Sequence, residues 1–188
     1  MTDPATANAA RYLPDQPFPP YSYVPRQFPH PTRNRAGHGG LSVTERLAPP
    51  EPGRWHECRP YLYGIDLFNH GYYWEAQEAW ESLWHACGRT GIEADFLRAL
   101  IRLAAAGVKA REGRLEGVRS HASAARVLLQ NVATRVAGAQ RHYMGLSLRQ
   151  LEDYAVLVTE GREIRQIDLG TPVAVVFPFI LQPTWVPN

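Results

Sequence analysis

Residues 68–84 read FNHGYYWEAQEAWESLW. Trp74, Trp80 and Trp84 recur here with Phe68, Tyr72 and Tyr73 just ahead of them, and Glu75, Glu78 and Glu81 are threaded between the rings. Rings at helical spacing must be buried, yet carboxylates resist burial unless they are paired. The stretch therefore predicts a central helix, about Tyr72–Ala86, that holds charge inside the fold. It is also where a functional site is expected.

Working outward, Asn69-His70-Gly71 ends a preceding helix, with Gly71 suited to the left-handed residue after a helix end. That first helix runs from about Trp55 or Glu57 to Asn69, with Tyr61, Leu62, Ile65 and Phe68 as its apolar stripe. A short turn at Gly88 and Gly91 leads to a third helix, about 91–112, and Thr90 and Glu93 have the spacing of a capping box. Its small patch, Ala104-Ala105-Ala106-Gly107, would let bulky tryptophans of the second helix approach closely. A fourth helix spans about Leu115–Thr134, residues 135–146 form a loop, and Ser147 with Gln150 caps a fifth helix that reaches Glu160. Short connections make neighbouring helices antiparallel. Gly71 and Gly113 each lie between two helices, a faint echo of stacked helical hairpins.

Proline marks the rest. The chain has 16 prolines, all before Tyr61 or after Thr171, and proline is costly inside helices. Residues 1–53 thus form an extended arm, loose over 1–10; residues 54–171 form one all-α domain of about five helices; residues 172–188 form an apolar tail laid on it. The arm is rich in aromatics (Tyr12, Phe18, Tyr21, Tyr23, Phe28), which solvated tails lack. It also carries His30 and His38 among glycines.

With 188 residues and a net charge of +2, the chain is sized for one domain, and nothing points to nucleic acid as its partner. The fourth-helix arginines, with His121 beside them, read as a solvated face. No segment approaches the roughly 20 apolar residues of a membrane span, and no signal peptide is visible at the start. A cytoplasmic protein with no membrane partner is the expectation, with homo-oligomerisation left open. Cys58 and Cys87 are expected to be free thiols at one end of the helical hairpin.

The run FNxGxYxEAxExWExxW, carried by Phe68, Asn69, Gly71, Tyr73, Glu75, Ala76, Glu78, Trp80, Glu81 and Trp84, resembles the signature of a bacterial and archaeal family, domain of unknown function 309. DFLRALIRLAAAGVKAREG at 95–113 resembles that family's next helix, and YSYVPRQFPHPTRNRAGHG at 21–39 is similar to an arm of some longer members. The resemblance covers most of 56–134 and implies an all-α domain and no particular activity. Where the family reads E-A-H-E, this chain has Gln77, a poor metal ligand.

The candidate site is a polar cluster between the second and third helices under the arm: Glu75, Gln77, Glu78, Glu81, Trp74, Trp84, Asn69, Arg98, Arg102, His30 and His38. Three readings stay open. The acids could pair with Arg98 and Arg102 as a structural lock, or could line a pocket for a small molecule, peptide or protein with no cofactor. Alternatively, Glu78, Glu81 and His85 could hold a divalent metal in a hydrolase-like enzyme. A helical-repeat adaptor would instead need an exposed apolar groove.

Overall fold

The computed structural model describes residues 9–39, 47–136, 142–161 and 163–184. A short 3-10 helix (Pro52–Glu57) leads into α1 (Arg59–Asn69), α2 (Tyr73–Ala86), α3 (Ile92–Arg111) and α4 (Leu115–Arg135). Then β1 (His142–Tyr143) and β2 (Leu146–Ser147) pair as a minimal antiparallel hairpin, and α5 (Leu148–Glu160) closes the helical body. Consecutive helices pack on one another from α1 to α5. The chain is all-α, as its periodicity predicts. The hairpin falls in the segment read as loop, and residues 1–8 of the segment read as loose lie outside the described residues.

The hairpin of α1 and α2 is the centre. Every residue from Tyr61 to Asn69 is buried, because helices cover one side of α1 and the extended arm and tail cover the others. Its fit to α2 depends on Gly64: a Cβ there would collide with the indole of Trp80, which donates from Nε1 to the Tyr61 carbonyl at 3.2 Å. The small patch on α3 meets a different ring from the one expected. Gly107 receives the ring of Tyr73, so a tyrosine, and not a tryptophan, uses the close approach. The start of α2 thus lies beside the end of α3, and the two run antiparallel.

The expected Thr90 capping box is replaced. Gly91, at φ +100°, precedes α3 with no side-chain cap, and Glu93 instead accepts from the Tyr143 hydroxyl at 2.9 Å. Ser147 does cap α5, accepting from the Gln150 N–H. Cys58 and Cys87 are free thiols.

Arm and tail have no regular structure of their own, so their buried backbone groups need partners elsewhere. The hairpin supplies them. Asp66, fully buried, accepts from the N–H groups of Tyr12 and Leu13, both at 2.8 Å. Asn69 accepts from Leu181 N–H at 2.7 Å and donates to its carbonyl at 2.9 Å, as a paired strand would. The Tyr73 hydroxyl accepts from Val176 N–H at 3.0 Å. Phe177 and Phe179 stack beside Phe68, and Phe179 lies on Tyr154. Gly71, at φ +86°, both makes the turn and lets the Ala174 backbone sit against it.

Asn69→Ala should therefore strand two buried backbone groups of Leu181, at about 1–3 kcal/mol for each. Urea unfolding should show a lower midpoint, and amide exchange at Leu181 should quicken more than exchange within α3.

Candidate functional site

The eleven cluster residues do not form one site. They divide among three places, according to which face of the α1–α2 hairpin each occupies.

The first place is sealed beneath the arm. Glu75 is fully buried, and its Oε1 accepts from Tyr23 N–H at 2.9 Å and from His38 Nε2 at 3.0 Å. The His38 side chain is itself only 3% exposed, so this is a buried pair. Tyr21 packs edge-on against the same imidazole. His30 does not reach a carboxylate: its Nδ1 accepts from the N–H groups of Thr32 and Arg33, and its ring lies near Tyr23 and Trp74. Arg111 is buried close enough for the Glu75 charge to oppose the burial that pulls its guanidinium below the ordinary value. Glu75 Oε2 and Arg111 Nη1 are buried and have no hydrogen-bond partner among the described residues.

The second place is the tail contact of Asn69, on the far side of the turn. Asn69 is a structural clamp there and does not line the groove between α2 and α3.

The third is a groove of about 420 Å³ between α2 and α3. One wall is the α2 stripe Trp74, Gln77, Glu81 and Trp84; the other is Arg98, Ile101, Arg102, Ala105, Val108 and Lys109 of α3, with His121 of α4 and Pro25 of the arm at its edges. Ala105 leaves the space that a larger side chain would fill. The indoles are held from behind: Trp74 by Tyr23 and His30, edge-on at 5.3 and 5.7 Å, and Trp84 by the Arg89 guanidinium at 5.4 Å.

The arginine lock does not form. Arg98 and Arg102 lie across the groove from α2, whereas Glu75 points under the arm and takes His38. Glu81 accepts from Gln77 Nε2 at 2.8 Å, and Arg102 Nη1 meets His121 Nδ1 at 3.2 Å. His121, expected on the surface, is half-buried in the groove edge. Burial, with Arg102 and Lys109 adding to it, depresses its pKa below the ordinary histidine value, so the ring is neutral at pH 7. Its place was hidden because it depends on how α3 and α4 are rotated against each other.

Glu78 stands between the first and third places. Burial, reinforced by Glu81 and Glu75, raises its carboxyl pKa, and no cation pairs with it among the described residues. His85 is exposed and accepts from Arg89 Nε at 3.0 Å. Among the described residues, no group of three or more His, Cys, Asp and Glu side chains is placed to hold a metal ion.

Residues 61–121 match the model of a family described as Domain of unknown function (DUF309). Over that segment the chain is similar to this family. Among curated proteins, none matches this sequence. The matched DUF309 segment runs from α1 into the first turns of α4 and ends at His121, so it contains every residue lining the groove except Pro25. The domain builds the groove; the arm adds one edge. No helix among the described residues is long and apolar enough to cross a membrane.

Two acids three residues apart on α2 should respond to mutation in opposite ways. Glu75→Ala leaves the Tyr23 N–H and the His38 ring without their acceptor and should cost about 1–3 kcal/mol for each in chemical denaturation. Glu78→Gln should raise the melting temperature at pH 7. The folded pKa of Glu78 lies above its unfolded value of 4.5, so its ionisation penalises the fold at high pH and ceases to do so below pH 4.5. The gain from Glu78→Gln should shrink as pH falls and vanish below that value.

Proposed function

We propose that the DUF309-like domain of this chain is a binding module and that its site is the groove between α2 and α3. The observation that carries this reading is an open groove of about 420 Å³ with two indoles on one wall and charged groups on both. Cavities of about 300–1,000 Å³ with aromatic walls and a few convergent polar groups are the usual form of small-molecule sites. The walls are fixed before a ligand arrives: the arm holds Trp74, Arg89 backs Trp84, and Gln77 orients Glu81. Side chains already held in place lose little conformational freedom on binding. The chemistry on offer is recognition, with donors on Arg98, Arg102 and Lys109, acceptors on Glu81 and Gln77, and ring faces for apolar contact.

A fragment library read by the indole N–H signals of ¹⁵N-labelled protein tests the reading. Neutral aromatic fragments should shift the Trp74 and Trp84 signals, assigned by single Trp→Phe variants, and leave buried Trp80 unmoved. Ala105→Leu, at a partly exposed position that tolerates added bulk, should abolish those shifts with little change in melting temperature. If no fragment moves either indole, or if Ala105→Leu leaves the shifts intact, the groove is not the site.

A further inference from the structure

The groove carries opposite charges that do not neutralise each other. Glu81 is hydrogen-bonded only by its helical neighbour Gln77. Arg98, across the groove, is exposed and pairs with nothing among the described residues. Arg102 is engaged by the neutral His121 alone. Lys109, nearer the Trp74 end, is already tied to Glu112 at 2.6 Å. One end of the groove thus presents a carboxylate that, among the described residues, meets no cation, facing two guanidiniums that meet no carboxylate, although charges so placed could have met directly.

The register of the helices says what lies beside this charged end. Because Tyr73 packs on Gly107 and the helices are antiparallel, Glu81 and Trp84 stand level with Arg98 and Arg102, while Trp74 stands level with Ala105 and Val108. From Glu81 to Trp74 is seven residues, about 10 Å along α2. An apolar side chain anchored at the charged end would lie over Ala105, directed towards the Trp74 end of the groove.

We propose that the ligand is a small zwitterion with an apolar side chain, an α-amino acid. Its ammonium is held by Glu81 and the Gln77 carbonyl oxygen, its carboxylate by Arg98 and Arg102, and its side chain by Ala105 and Trp74. Gln77 has a direct part in this arrangement: its amide N–H₂ fixes Glu81 and leaves its carbonyl oxygen to accept from an ammonium. A guanidinium pair suits a carboxylate because its fork can bind both oxygens at once. A peptide terminus would bring only one of the two charges, and a simple organic acid would leave Glu81 facing it unpaired. The proposal rests on the groove being the binding site.

Titration of the full chain with L-phenylalanine, L-leucine, L-phenylalaninamide and 3-phenylpropanoate, read by the Trp74 and Trp84 indole signals, tests it. L-phenylalanine should bind at least about tenfold more tightly than either single-charge analogue, the difference expected for one charge-assisted contact. Arg98→Gln, at an exposed position, should reduce L-phenylalanine to the level of L-phenylalaninamide. Glu81→Gln should reduce it to the level of 3-phenylpropanoate. If a single-charge analogue binds as tightly as L-phenylalanine, the zwitterion assignment is wrong. If neither amino acid moves the signals at millimolar concentration while neutral aromatic fragments do, the assignment falls and the groove remains. If neither set moves them, both fall.

Discussion

Backbone that cannot satisfy itself must be satisfied by something else, and in this fold the α1–α2 hairpin does it. Asp66, Asn69, Tyr73 and Glu75 lie within ten residues of one another, and each holds a main-chain N–H of the arm or the tail. Polar side chains in a core are costly when unpartnered, which is why two of the four, Asn69 and Glu75, stand out in the sequence as candidate site residues. Their partners are main-chain amides, with the Arg11 guanidinium 3.7 Å from Asp66 and the imidazole of His38 on Glu75. The arm and tail are also joined directly, through Ser22 N–H to the Pro172 carbonyl at 2.9 Å. The helices, arm and tail therefore form one connected hydrogen-bonded unit around that hairpin.

The groove is what this arrangement leaves over. Residues on the α2 stripe that faces neither arm nor tail, Gln77 and Glu81 above all, have no main-chain amide to hold. They meet α3 across a gap kept open by Ala105. Pro25 at the groove edge lies two residues from Tyr23, whose N–H binds Glu75 and whose ring backs Trp74. The sealed pair and the open groove thus share a support, though they share no ligand-facing residue.

Much of the fold was legible because local chemistry decides it. Proline confines helices to the middle of the chain, Gly71 requires a turn, and ring spacing identifies α2 as buried. The Ser147 cap follows from a serine and its third neighbour alone. What failed depended on rotation between helices. Thr90 and Glu93 have capping spacing, but Glu93 is drawn to Tyr143, a residue fifty positions away. The small patch on α3 was visible, whereas its partner ring was not. Of the candidate residues, Trp74, Gln77, Glu81, Trp84, Arg98 and Arg102 line one groove, and Glu75 meets His38. Their separation into three places could not be read, because residues 75, 77 and 78 are neighbours in sequence and point in different directions from the helix.

The clamps also differ greatly in how far along the chain they reach. Asp66 binds Tyr12 across 54 positions, and Asn69 binds Leu181 across 112, whereas α1 and α2 are joined by a turn of three residues. Loop-closure entropy grows with the length of chain enclosed, so the hairpin is the less costly structure to assemble first and the two ends have a finished surface to dock on. The same ordering runs backwards in unfolding. By this entropic argument alone, the described arm and tail should open before the helical pairs part.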